Sequence, residues 1–98
     1  MPAVTTINPI EVPKGREQEA LLIWERYADY FRRQPGYIGT SLNRSLDPNA
    51  HFHLVNVAQW ESAEHFLAAL NNEEIKNVGA GFPPEMPHYP SIYEVIRS

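Results

Sequence analysis

The sequence predicts an α+β fold of the ferredoxin-like type, an antiparallel sheet in βαββαβ order with its helices packed on one face. Three observations carry that prediction. Ala20, Ile23, Trp24, Tyr27 and Phe31 fall at i, i+3, i+4, i+7 and i+11, one apolar helical stripe. Asp47-Pro48-Asn49-Ala50 is a turn between two strand-forming stretches, which makes them an antiparallel hairpin. A second helical segment and a closing strand then follow. The 98 residues fit one domain spanning 1–98.

Val4, Thr5, Thr6, Ile7, Ile10 and Val12 make residues 3–12 the first strand, with Asn8 on the face of Val4, Thr6, Ile10 and Val12. Pro9 has no N–H to give a ladder, which places it near the strand end or at a bulge. Pro13-Lys14-Gly15 breaks the strand. The first helix covers 16–34, with Glu17 and Glu19 at its positive end and Arg32 and Arg33 at its negative end. Asp29 and Arg33 form an acid-first i,i+4 pair. Gln34 precedes Pro35, so the helix stops there, and Gly36 turns the chain.

Residues 37–46 form the second strand, with Ile38, Thr40, Leu42 and Leu46 on one face. The third strand runs through 51–60. Ser62 caps the second helix, which carries Ala63, Phe66, Leu67 and Leu70 at helical spacing and Glu64 in its first turn. Asn71-Asn72 interrupts it. Asn72 caps a short helix through Val78, ended by Gly79-Ala80-Gly81. Pro83, Pro84, Pro87 and Pro90 make 82–90 an ordered loop, and Ser91–Arg97 is the last strand.

Composition narrows the function. The chain is 43% hydrophobic and 20% charged, which is globular rather than disordered. The net charge of -4, with Arg32-Arg33 the single adjacent basic pair, argues against nucleic acid as a partner. The absence of cysteine excludes disulfides and thiolate chemistry and suits a cytoplasmic location. No signal-peptide pattern is visible, and no apolar run is long enough to span a bilayer. Ile7, Val55, Val57 and both faces of the last strand are apolar on the side away from the helices. A second copy packed sheet to sheet would cover them, so a homodimer is expected.

The third strand holds the candidate site. Phe52, Leu54, Asn56, Ala58 and Trp60 share one face. A carboxamide among apolar neighbours is costly unless hydrogen-bonded, either to neighbouring backbone or to a ligand. Asn8 joins that face, because strands one and three are neighbours in this fold. Trp24 and Tyr27 cover it from the first helix. The expected lining of an aromatic pocket thus takes in Phe52, Leu54, Trp24, Tyr27 and Phe66, with His65 and His88 near its mouth. Taken singly, Trp60, Trp24 and Tyr27 read as core, Asn8 as a turn residue, and His65 and His88 as surface histidines. Their convergence on one face is what favours a pocket. His51 and His53 are two apart but have no third ligand in the hairpin, so no metal site is expected.

The chain resembles the antibiotic biosynthesis monooxygenase family. Asn8-Pro9-Ile10, Val12-Pro13-Lys14-Gly15, Gln34-Pro35-Gly36-Tyr37-Ile38, Val55-Asn56-Val57-Ala58-Gln59-Trp60-Glu61-Ser62 with Phe66, and His88-Tyr89-Pro90-Ser91-Ile92-Tyr93-Glu94-Val95 carry the resemblance in order. It implies a dimeric α+β barrel with a pocket between sheet and helices. It also implies oxidation of a small aromatic (quinol, anthrone or polyphenol) by O₂ to a quinone, without metal, flavin or haem. Asn56 and Trp60 match an active-site Asn and Trp four residues apart, and Asn8 resembles a further Asn of some members. A Tyr used by some anthrone oxidisers is Phe66 here, and residues 77–90 contain no Arg. The haem-degrading branch needs a helical Trp and an iron-ligating His, where a gapless reading places Ala69 and Gly79. The alternatives to an oxygenase are a non-catalytic dimer that binds small aromatics and a haem-binding or haem-degrading enzyme.

Overall fold

A computed structural model describes residues 3–98. Seven elements follow in order: β1 (Val4–Ile10), α1 (Glu17–Arg32), β2 (Tyr37–Arg44), β3 (Leu54–Trp60), α2 (Ala63–Leu70), a 3₁₀ helix (Glu73–Asn77) and β4 (Ser91–Tyr93). The strands form one antiparallel sheet in the order β2-β3-β1-β4, the ferredoxin-like topology. No helix among the described residues is long and apolar enough to cross a membrane.

β1 and β3 pair without interruption, and Asn8 lies directly opposite Asn56. Pro9 is tolerated inside β1 for a geometric reason. Its carbonyl accepts from the Tyr89 backbone N–H at 3.1 Å, on the side away from β3. Backbone N and O of one strand residue point to the same side, so the missing N–H takes no bond from the β1–β3 ladder.

Strand two departs from its expected pattern. Tyr37 pairs with Trp60 and Gly39 with Gln59, so Ile38 is one residue too many. This bulge lets Tyr37 and Thr40, three apart, share the helix-facing side. Ile38 is 55% exposed and Leu46, beyond the strand, 97% exposed, so neither joins the apolar face read from the sequence. β3 begins at Leu54 rather than at His51. β4 is three residues long, and Val95 and Ile96 beyond it are exposed. Asp29 pairs with Arg32 at 2.6 Å instead of Arg33.

Helix boundaries follow local chemistry. The Ser62 side chain accepts the His65 N–H and starts α2, while Asn72 accepts from the Glu74 N–H and starts the 3₁₀ helix. Two apolar clusters flank the middle of the sheet. Ile10, Ala20, Leu54 and Met86 form one, and Ala58, Trp60 and Ala69 with Phe31, Tyr37 and Phe66 form the other. The buried Tyr30 hydroxyl joins the helices by donating to the Ala69 carbonyl at 2.6 Å.

Candidate active site

Between sheet and helices lies a cavity of about 310 Å³. The sheet supplies Thr6, Asn8, Tyr37, Thr40, Asn56, Ala58 and Trp60, and α1 supplies Trp24, Tyr27, Ala28 and Phe31. Phe66 and Leu70 close it from α2, and Phe82, His88 and Pro90 from the proline-rich loop. Leu70, Gly81, His88 and Pro90 are exposed and mark its mouth. No Asp, Glu, Lys or Arg is among its lining residues. The walls are therefore aromatic and uncharged, with a few neutral polar groups.

The Asn56 carbonyl is satisfied by two side chains rather than by backbone. Its Oδ1 accepts from Trp24 Nε1 at 3.0 Å and from Thr40 Oγ1 at 2.7 Å. An indole N–H can only donate, so the atom facing it is the amide oxygen. The Asn56 amide nitrogen forms no hydrogen bond to the described residues and remains available at the cavity wall. Asn8 differs: its Oδ1 is buried and has no partner among the described residues.

Trp60 is 1% exposed and is held by rings on several sides. Tyr37 and Phe31 pack edge-on against it at centroid distances of 5.6 and 5.9 Å, and Phe66 packs at 5.5 Å. It is thus both core and cavity wall. The roof is tied to α1 through backbone carbonyls: Arg26 Nη2 donates to Ala80 O at 2.6 Å and the Tyr27 hydroxyl to Gly79 O at 3.3 Å.

Asn8, Asn56, Trp60, Trp24, Tyr27, Phe66 and His88 therefore converge on one cavity. Phe52, Leu54 and His65 do not. Leu54 lies on the expected face but one step past the cavity, in the Ile10–Met86 cluster. Phe52 precedes the strand, and its ring packs on Tyr89 at 5.8 Å. His65 is drawn to the helix start, with Nδ1 2.8 Å from Ser62 Oγ. Thr40, Tyr37 and Phe82 join the lining beyond the residues that the sequence singles out. The place of Thr40 near Asn56 in the hairpin is a signal that could have found it. Tyr37 is hidden by the bulge, and Phe82 sits in a loop without periodicity.

His51 and His53 each meet a carboxylate from outside the hairpin, Glu11 at 3.1 Å and Glu17 at 2.5 Å. Among the described residues no group of three or more His, Cys, Asp or Glu is placed to hold a metal ion. Glu17 also takes a two-point contact from Arg44, and these bonds hold its carboxyl below the usual carboxylate range. The hydrogen bond to Glu11, with burial, pushes the Tyr89 hydroxyl up.

Comparison with known proteins gives this geometry a context. The family model for antibiotic biosynthesis monooxygenases matches residues 3–80. A proposed monooxygenase from Shewanella loihica shares 34% identity at a TM-score of 0.87, over 99% of this chain and 97% of that one. SnoaB of Streptomyces nogalater, a cofactor-independent oxygenase, shares 22% identity at a TM-score of 0.82, over 100% and 97% of the two chains, a likeness of fold. The haem degrader MhuD of Mycobacterium tuberculosis shares 29% identity at a TM-score of 0.73, over 97% of each chain. A 42.8 kDa protein of the whiE locus of Streptomyces coelicolor is 34% identical over 71 residues, 72% of this chain. The chain matches 17–18% of the length of that relative and of protein SchA of Streptomyces halstedii.

Proposed function

The chain belongs to the antibiotic biosynthesis monooxygenase family, and on that footing we propose that it oxidises a small aromatic with O₂ to a quinone without a cofactor. The observation that carries the reading is the anchored Asn56 amide, its nitrogen free, on the wall of an uncharged aromatic cavity. At about 310 Å³ the cavity lies at the small end of the range for small-molecule sites. That size favours a compact, flat ligand.

Triplet O₂ reacts slowly with closed-shell molecules, but a phenolate or stabilised carbanion can pass it one electron. Recombination gives a hydroperoxide, and loss of water leaves a carbonyl. One oxygen atom enters the product and the other departs as water. The protein's task is to bind the ring and stabilise its oxyanion. Asn56 donates to that oxygen from a largely apolar wall, where such a bond is worth more than in water. Trp60 has its faces covered by its neighbours, and its indole N–H, which makes no bond to the described residues, donates to the ligand. Asn8 completes the polar edge. His88, with its ring 5.3 Å from Phe82 at the mouth, is a candidate proton acceptor.

The test is oxygen uptake on anthrone and quinol substrates with no added cofactor. Asn56→Ala is expected to lower kcat about 10²-fold or more, and Trp60→Phe to weaken turnover. Unchanged uptake in both variants overturns these roles. A non-catalytic binder would quench Trp fluorescence yet consume no O₂.

The likeness to MhuD supports a second reading, haem binding. The residues fit it poorly. Ala69 is buried against Trp60, Gly79 bears no side chain, and the imidazole on the cavity wall, His88, is exposed at the mouth. A visible spectrum during haem titration tests it directly. The reading as one domain over 1–98 is supported by a cavity whose walls run from Thr6 to Pro90. A sheet-to-sheet homodimer is supported by the apolar Ile7, Val55 and Val57 side chains on the face away from the helices, and light scattering tests it.

A further inference from the structure

We infer that Thr40 and Trp24 are positioning residues that make Asn56 an obligate hydrogen-bond donor, so that the ligand presents an acceptor oxygen, keto or phenolate, at that point. This rests on the reading of Asn56 as the oxyanion donor. A free carboxamide is ambiguous: it can rotate by half a turn and exchange donor for acceptor at little cost. At Asn56 the exchange is blocked. The Trp24 indole N–H has no lone pair to offer, and it lies 3.0 Å from Oδ1. Rotation would set an NH₂ group against that N–H and lose the Trp24 bond. Thr40 gives the same oxygen a second donor at 2.7 Å; its hydroxyl can accept as well as donate, so Trp24 sets the direction and Thr40 reinforces it. Its hydroxyl also approaches the Val57 carbonyl at 3.3 Å, but its single proton favours the shorter contact.

Two donors on one carbonyl also polarise the amide and make its N–H groups better donors. That matters because the cavity wall carries no charged residue to balance an anion. The oxyanion must be held by oriented dipoles, and this amide has the most support behind it. Thr40 stands on the uninterrupted stretch of the β2–β3 ladder. It pairs with Ala58, two residues along β3 from Asn56 and on the same face, a diagonal neighbour within side-chain reach.

The experiment reads ionisation rather than turnover. Dithranol, a dihydroxyanthrone whose absorbance changes on ionisation, is titrated with pH under anaerobic conditions in the presence of each protein. Wild-type protein is expected to lower its apparent pKa relative to free dithranol. Asn56→Ala is expected to raise the bound value by about one unit. Thr40→Val and Trp24→Phe should each raise it by roughly half a unit, and Thr40→Ser should restore the wild-type value. If Asn56→Ala shifts the titration while Thr40→Val and Trp24→Phe match wild type, the positioning role is overturned and the oxyanion reading stands. If dithranol does not bind, or Asn56→Ala leaves its titration unchanged, the oxyanion reading itself is overturned and the inference falls with it. The Thr40→Val and Thr40→Ser pair decides the matter even where Trp24→Phe reshapes the cavity.

Discussion

Asn8 and Asn56 face each other across the β1–β3 ladder, yet the carbonyl of Asn56 holds two hydrogen bonds while that of Asn8 is buried with none among the described residues. A buried polar atom without a partner lowers stability by about 1–3 kcal/mol. Asn8→Leu, similar in size, should therefore raise stability by about 1 kcal/mol in urea denaturation while reducing oxygen uptake. A destabilised variant would mean that Asn8 is better satisfied than its geometry indicates.

Trp60 supports the whole α2 side of the sheet. Truncating it to Ala removes the surface on which Phe31, Tyr37 and Phe66 pack. The expected loss is about 3–5 kcal/mol, a large share of the stability of a small domain. Trp60→Phe should fold with a smaller loss. Denaturant midpoints measure both.

Gly36 combines two constraints. Its φ of +85° favours glycine, and a Cβ there would run into the His65 side chain. Gly36→Ala should destabilise by more than about 1 kcal/mol. Gly15, with φ +83° and open space within 4 Å of where a Cβ would stand, carries the first constraint without the second. Gly15→Ala should be the milder change in a paired thermal melt.

His88 and His65 are equal candidates by sequence, and their surroundings separate them. His88→Gln should change the pH profile of turnover, because its ring is on the cavity wall. His65→Ala should leave that profile alone and lower thermal stability, because its ring is bound to the Ser62 cap. The reverse pattern would reassign the two.

Glu17 predicts an acid-sensitive term in stability. Bonds from Arg44 and then His53 lower its folded pKa below the ordinary value of 4.5. A depressed carboxylate stabilises the fold above its unfolded pKa, and that contribution fades as pH falls through the folded value. Glu17→Gln should be less stable than wild type at neutral pH, and the two curves should converge as the medium is acidified below about pH 4.5.

Much of this architecture was legible in the sequence because it rests on periodicity. The Ala20–Phe31 stripe, the turn at Asp47–Ala50 and the two-residue alternation through Asn56, Ala58 and Trp60 each report a local constraint that the chain carries in itself. Asn8 could be placed beside Asn56 because the element order dictates which strands are neighbours. What escaped depends on partners. A bulge exists only relative to the opposite strand, so alternation alone puts Ile38 on the apolar face. Val95 and Ile96 favour strand structure but pair with no strand among the described residues. Alternation places Leu54 on the right side of the sheet but cannot say how far along that side the cavity extends, nor that the strand starts only after Phe52. The loop that brings Phe82 and His88 has no period at all.

The supernumerary Ile38 has a consequence that reaches past its own strand. It acts as a phase change in the backbone: everything before it is out of step with everything after it. With Ile38 forced into a regular ladder, Thr40 could stay beside the amide only by swinging Tyr37 out to solvent, baring one flank of Trp60; deleting Ile38 would instead leave Tyr37 and Thr40 two apart on one face. Because Gly36 is wedged against His65 immediately upstream, the slip would be passed on to the start of the next helix. Deletion of Ile38 should therefore leave the lining in place, and a slip that keeps Ile38 inside the ladder should damage ligand recognition and helix docking together.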